Sequence, residues 1–395
     1  MSIIEYYTPT HVYFGKGAEN NVGAILKEKG AKKVLVHFGT GSVKKSGLLD
    51  RVEKSLKDNN LPYVLLGGVV PNPRISLVRE GVELGRKEDV DYILAVGGGS
   101  VADSAKAISY GIYDKDKGDA WDYYCQKRKP LGAIPIAVIL TLSATGSEMS
   151  DSSVITNEEE GLKRGCNSNY CRPSFALLNP ELTYSVSPYQ TSCGTVDIMM
   201  HTLERFFHEG ATLELTDKLS LSLLKQVMES GILALEDPED YEARANLMWA
   251  GSLSHNGLLQ VGNSNRGDWA CHQLEHELSG MFDVAHGAGL AAIWGTWARY
   301  VAERNPARFV KLGAYLFDVK ESGNPLSDAI RTIELMESYF REIEMPTSLK
   351  ELGLDPTEEE FQLLAERASF FGKRTVGSFS ILEKEDMLKI YKAAK

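Results

Sequence analysis

No Cys-x-x-Cys pair occurs anywhere in the 395 residues, and the five cysteines (125, 166, 171, 193 and 271) are odd in number. That excludes a zinc ribbon and a disulfide framework and points to a reducing compartment. A long basic run is missing as well. The net charge is -11, and the densest Lys/Arg group, QKRKP at 126–130, is too short to offset it, so neither nucleic acid nor an anionic membrane surface is an expected partner. The longest apolar run, AIPIAVIL at 133–140, is far below the roughly 20 residues of a membrane helix. MSIIEYYTPTHVYF carries an acid at Glu5 and no basic n-region, unlike a secretory signal. A cytoplasmic location is expected. Histidine is scarce too, with eight residues, yet three of them, His272, His276 and His286, fall within fifteen positions.

The length exceeds what one core usually serves, so two domains are expected. The first half alternates Val/Ile/Leu-rich runs, KVLVHF (33–38), YVLL (63–66), YILAV (92–96) and IPIAVIL (134–140), with helical stretches such as 74–88. Apolar strands alternating with helices imply a parallel α/β sheet. From about residue 190 the pattern turns helical. Nine of the fourteen prolines lie before that point, and four of the remaining five sit in Asx-Pro pairs: Asp237-Pro238, Asn305-Pro306, Asn324-Pro325 and Asp355-Pro356. Such a pair reads as an N-cap followed by proline at the first helical position. The expected division is an α/β domain over 1–184 and an all-helical domain over 185–395.

Two strand–helix corners are rich in glycine or hydroxyls: GGGS (97–100), opening the helix VADSAKAISYGI, and TLSATGSE (141–148). Such turns let backbone N–H groups approach a pyrophosphate. They are equally common as plain turns in α/β proteins, and neither is the G-x-G-x-x-G fingerprint. In the second half, Asp197 and His201 are four apart on an expected helix, as are His272 and His276. Residues four apart share a face. Asp197 and His201 with His272 and His286 offer one oxygen and three nitrogen ligands, a set suited to Fe(II) or Zn(II). Gly287 and Gly289 are read as letting the backbone bend tightly beside His286. Packed or surface histidines are the plainer alternative. His11, His37, His208 and His255 have no partner at ligand spacing and are read as structural.

Together, FGKG (14–17), PNP (71–73), GGGSVADSAKA (97–107), TLSATGSEMS (141–150), VDIMMHTLE (196–204) and WACHQLEHELSGMFDVAHGAG (269–289) resemble the iron-containing, metal-dependent alcohol dehydrogenases, within them the butanol dehydrogenase and broad aldehyde reductase branch. The resemblance spans nearly the whole chain. It implies a dinucleotide-binding α/β domain and a helical domain, a dehydroquinate synthase-like architecture, with metal and nicotinamide in the cleft. Its metal ligands fall on Asp197, His201, His272 and His286, and His276 matches a histidine beside the nicotinamide, the candidate catalytic residue. Gly98, Gly99 and Ser100 match the pyrophosphate loop, Asn72 and Lys163 match cofactor contacts, and Thr141 and Thr145 match the second nucleotide corner. Asp103, in the same helix as the first loop, is grouped with the cofactor residues. The implied reaction is hydride transfer between nicotinamide C4 and a primary alcohol or aldehyde such as butanol or butanal. Two departures occur, Asn179-Pro180 for Asp-Pro and Ser143-Ala144 for Ala-Gly.

KVLVHF ends in GTGSVKK (39–45), and no Asp or Glu lies between Val34 and Leu49. NAD-selective sites place a carboxylate near the end of an early strand to bind the ribose 2′-OH, and relatives selective for NAD carry aspartate at the position of Gly39. Here Gly39, Thr40, Gly41 and Ser42 offer open backbone and hydroxyls, so NADP(H) is expected over NAD(H). A polyol dehydrogenase of the same superfamily, a dehydroquinate-synthase-like lyase and a non-catalytic nucleotide sensor are the rivals. His201 tells against the first, apolar or acidic flanks against the second, and a metal beside a nicotinamide against the third. A homodimer is the expected assembly.

Overall fold

The computed structural model describes residues 5–114, 118–210, 213–263 and 266–395. The chain forms two compact units, Tyr7–Val186 and Ser187–Lys395, the latter also including Glu5 and Tyr6.

Among the described residues the first unit carries eight strands: β1 (His11–Phe14), β2 (Val34–Gly39), β3 (Tyr63–Val69), β4 (Tyr92–Gly97), β5 (Ile136–Leu140), β6 (Ser152–Asn157), β7 (Leu162–Asn167) and β8 (Phe175–Leu178). Six make a parallel sheet in the order β1-β8-β5-β4-β2-β3. Its central strands are buried on both faces, from Val34 to Phe38 and from Tyr92 to Val96, as unbroken apolar runs require. The expected parallel sheet is present. Short β1 and β8 lack a long apolar signature and escape a reading by composition. The antiparallel hairpin β6–β7 escapes it too, because LKRGCN reads as polar.

From β2 the chain passes to β3 on one side, and from β4 to β5 on the other. The carboxyl ends of β2 and β4 therefore flank a switch point, where open α/β sheets bind ligands. Buried His37 ties this centre together: Nδ1 lies 2.9 Å from Leu66 O and Nε2 lies 2.8 Å from Ser104 Oγ.

The second unit is helical throughout its regular structure. Helix Pro188–Phe206 starts with Ser187, whose side chain accepts from Gln190 N, and with proline in its first turn. Every residue from Thr191 to Phe206 is buried, so this helix is surrounded on all sides. Trp294, Trp297, Phe207 and Phe309 pack in the same core. Of the Asx-Pro pairs, only Asn324 caps as expected, accepting from Ser327 N; at Asn305-Pro306 the proline itself takes the N-cap position of helix Ala307–Leu316, with no side-chain cap. The other two differ too. Asp237 ends helix Glu214–Glu236, and Asp240 caps the next one. Thr357 caps helix Glu358–Ala368 through a capping box with Glu360, because two reciprocal bonds outcompete the single Asx cap at Asp355.

Candidate active site

Asp197, His201 and Glu204 stand at i, i+4 and i+7 of helix Pro188–Phe206 and share one face. His272 lies in the first turn of helix Ala270–Phe282, and His286 is the first residue of helix His286–Ala302. Gly287 brings the last of these in. A Cβ there would meet the backbone oxygen of Cys193 at 2.1 Å, so only glycine lets the start of this helix touch the turn before Asp197. This corrects the expected role of both glycines: Gly287 and Gly289 lie inside a helix, with no left-handed φ, and provide close approach rather than a bend.

Around Asp197 Oδ1 stand His201 Nδ1 at 3.6 Å, His272 Nε2 at 3.6 Å and His286 Nε2 at 3.7 Å. These separations are too long for hydrogen bonds. They match the roughly 3.4 Å edge of a tetrahedron with ligand bonds of about 2.1 Å. Asp197 Oδ1, His201 Nδ1 and His272 Nε2 are buried without any hydrogen-bond partner. Leaving a buried carboxylate oxygen without a partner costs several kcal/mol unless a cation faces it, so the donor set fits a divalent metal. Asp197, His272 and His286 each contribute an atom to a set lying within 4.8 Å of one another. His201 stands beside that set, its ring stacked on His272 with centroids 4.7 Å apart.

The imidazoles differ electrostatically. Burial opposes a charge on His272, but the carboxylates of Glu204 and Asp197 outweigh it and raise its pKa to about 9 without metal. Burial together with neighbouring His255 and His272 holds His201 well below the usual range, hence neutral. His276 lies outside the Asp197 set, its ring 5.8 Å from that of His286. Glu275, His276 and His286 form a second group, but Glu275 accepts a short hydrogen bond from His286 Nδ1, making that group the outer layer of the first.

In the first unit most of the expected cofactor residues follow the carboxyl ends of β2 to β5. Gly98 caps helix Gly99–Tyr113, and Ser100 lies in its first turn. A Cβ on Gly99 would meet Thr145 Oγ1 at 2.3 Å, so the two corners pack directly against each other. Thr141 follows β5, its N–H donating to Gly97 O. Asn72, buried after β3, adopts φ 53°, a left-handed conformation asparagine tolerates. Lys163 is buried on β7. Gly39 ends β2, and Thr40 and Gly41 lead into a short helix that begins at Ser42. Asp103 accepts from Ser147 Oγ at 2.6 Å and Val154 N at 3.0 Å. It holds the loop.

Residues 9–180 match the family model described as iron-containing alcohol dehydrogenase, and residues 191–395 match the C-terminal model of the Fe-containing alcohol dehydrogenase family. The chain belongs to the iron-containing alcohol dehydrogenase family. Among similar members, NADH-dependent butanol dehydrogenase A of Clostridium acetobutylicum is 40% identical, with 99% of each chain covered. The NADPH-dependent aldehyde reductase YqhD of Escherichia coli is 32% identical over 100% of both chains. The crystal structure of NADH-dependent butanol dehydrogenase A from Thermotoga maritima superposes with a TM-score of 0.94 at 37% identity, covering 100% of this chain and 99% of that one.

In this member of the family, sequence reasoning overlooked four residues at the site. Glu204 and Glu275 stand behind His272 and His286. The signal was available, since each lies three residues after a candidate ligand. Trp269, at φ 65°, sits with its ring 5.3 Å from His272 and the Arg205 guanidinium 4.5 Å from its centroid. His255, read as structural, has its ring centroid 4.1 Å from that of His201, a proximity no spacing reveals. The departure at Asn179 has a cause: its amide donates to Glu19 Oε2 at 3.1 Å, where an aspartate would face a like charge.

Proposed function

We propose that this chain is a metal-dependent NAD(P)(H) alcohol dehydrogenase and aldehyde reductase acting on primary alcohols and aldehydes of the butanol/butanal type. Asp197, His201, His272 and His286 hold one Fe2+ or Zn2+. The reading is carried by the three buried, unpartnered ligand atoms converging on one point. A divalent ion held there would supply Lewis-acid polarisation of the substrate oxygen, and a bound nicotinamide would supply the hydride chemistry.

The chain's own residues do the rest. Asp197 supplies the one charged ligand. Neutral His201 contributes a lone pair without adding charge. His276, beside His286 but outside the ligand set, is the group we assign to moving the alcohol proton. Ser100 and the N–H groups after β4, with Thr141 and Thr145, receive the pyrophosphate. The acid-free loop Gly39–Ser42 favours NADP(H). The relatives' names divide on this point, with NADH at 40% and NADPH at 32% identity. The loop chemistry is what supports our choice.

A steady-state screen of aldehydes and alcohols with NADPH and NADH, after anaerobic loading with Fe2+ or Zn2+, tests the proposal. Butanal reduction is expected with higher kcat/KM for NADPH. No turnover of any aldehyde or alcohol with either nucleotide would contradict it. The five free cysteines fit a cytoplasmic setting, and light scattering checks the expected homodimer.

A further inference from the structure

Three buried carboxylates, not one, surround the proposed metal point. Besides Asp197 there are Glu204 and Glu275, whose side chains are 1% and 0% exposed. Each faces away from the ion and engages one imidazole. Glu204 Oε2 takes a short hydrogen bond from His272 Nδ1, while its other oxygen accepts the backbone N–H of His272 at 3.1 Å. That N–H lies in the first turn of helix Ala270–Phe282 and has no acceptor within its own helix. Glu204 thus fixes both the ring and the helix end that carries it, with its charge at the favourable end of the helix dipole. Glu275 Oε2 engages His286 Nδ1 in the same way, and its Oε1 accepts from Ser279 Oγ.

The space for Glu275 is built in. A Cβ on Gly289 would lie 2.9 Å from Glu275 Cγ and 2.9 Å from its Oε1. Gly289 occurs inside a helix, where glycine is a poor choice by about 1 kcal/mol against alanine. Its absent side chain is what lets Glu275 reach His286.

We propose that Glu204 and Glu275 are positioning residues for the metal: by accepting from Nδ1 they set the tautomer of His272 and His286 so that each Nε2 lone pair faces the ion, and Gly289 is retained to keep Glu275 in place. The inference rests on the metal reading given above. A carboxylate behind an imidazole ligand fixes its orientation and raises its basicity, and losing it weakens metal binding about 10–100-fold. In Glu204→Gln one of the two acceptors becomes an NH2 group facing an N–H donor. Either the ring or the helix end then loses its partner. The loss should therefore be larger at Glu204 than at Glu275.

The test is Zn2+ affinity of the intact full chain, read by competition with a chromophoric chelator, for wild type, Glu204→Gln, Glu275→Gln, Ser279→Ala and Gly289→Ala. The visible spectrum of the Co2+-loaded forms serves as a second readout. Glu204→Gln and Glu275→Gln should bind Zn2+ at least tenfold more weakly, with altered Co2+ bands. Ser279→Ala should lose a smaller factor, and it keeps the test open if either glutamine variant misfolds. Gly289→Ala should also bind more weakly, although it touches no ligand and its helix propensity rises. A purely structural role would lower thermal stability while leaving Zn2+ affinity and the Co2+ spectrum at wild-type values; that result overturns the proposal. A wild-type chain that takes up no Zn2+ overturns the metal reading beneath it.

Discussion

His272 Nε2 and Asp197 Oδ1 lie 3.6 Å apart, both buried and neither hydrogen-bonded. Two polar atoms that approach so closely without bonding lose their hydration and regain nothing from each other beyond charge attraction. The distance suits a shared cation. His272→Ala and His286→Ala should each remove most of the bound metal, because a three-ligand remnant holds it far less tightly. His255→Ala should leave the metal-to-protein ratio unchanged although its ring lies against that of His201. Elemental analysis of the purified variants checks both outcomes.

Gly287 and Gly289 share a helix and two residues of spacing, yet alanine should act differently at the two. At Gly287 the added carbon meets backbone, Cys193 O at 2.1 Å, which cannot rotate away. Gly287→Ala should push the helix off and destabilise the protein by roughly 1–3 kcal/mol, as overpacking does. It should also lower metal content. At Gly289 the obstacle is a side chain, so stability should change little. Thermal melts of the two variants distinguish them.

How much of this was legible in the sequence depends on what fixes each feature. The strands ending at Gly39 and Gly97 announce themselves because burial on both faces demands unbroken apolar runs. The ligand residues announce themselves because a helix places Asp197 and His201 on one face. Glu204 and Glu275 were passed over as ordinary charged positions in helices, since a buried carboxylate is recognisable only once its partner's ring is placed. Gly287 was read as a local bend because its real neighbour, Cys193, is far away in sequence. The hairpin β6–β7 was invisible for a similar reason: its residues pack on helix Gly99–Tyr113 through Asp103 and Lys106, contacts that hydropathy does not encode.

Lys106 is wholly buried, and its ammonium donates among Ser147 Oγ, Ser150 O and Oγ, and Ser152 O, at 2.7–3.2 Å. It clamps the corner that follows Thr145. Lys106→Met keeps the stem but leaves buried acceptors without a donor, each worth about 1–3 kcal/mol. Reduced thermal stability and weaker NADPH binding by fluorescence titration are the expected results.

Buried His37 is pushed down to about 4 by loss of solvent, against a smaller opposing effect of its bond to Leu66 O. Between about pH 6.5 and 4 the unfolded chain takes up a proton at this residue and the folded chain does not. Its contribution is therefore complete above pH 6.5 and declines as pH falls to 4, by about 3 kcal/mol in total. His37→Gln should narrow the gap between denaturation midpoints measured at pH 7 and pH 5. An unchanged gap would show that His37 is not the group responsible.

Gly39 ends β2, and a Cβ there would meet only Val69 O, at 3.5 Å, so a side chain fits. Gly39→Asp places a carboxylate where it can accept from a ribose 2′-OH and repel a 2′-phosphate. A charge-assisted contact is worth about 1.5–3 kcal/mol, so kcat/KM should shift toward NADH by about tenfold or more. A wild-type preference for NADH of that size would contradict the reading of this loop.

The most direct test of the central claim is a metal titration of the wild-type chain. Metal is removed with a chelator and Fe2+ or Zn2+ is returned anaerobically, while NADPH-dependent butanal reduction is followed. The expected result is no measurable turnover in the stripped protein and full recovery at one equivalent per chain, with no recovery in His272→Ala. Full activity in the stripped protein, or equal recovery in His272→Ala, would contradict the assignment of Asp197, His201, His272 and His286 as the metal site.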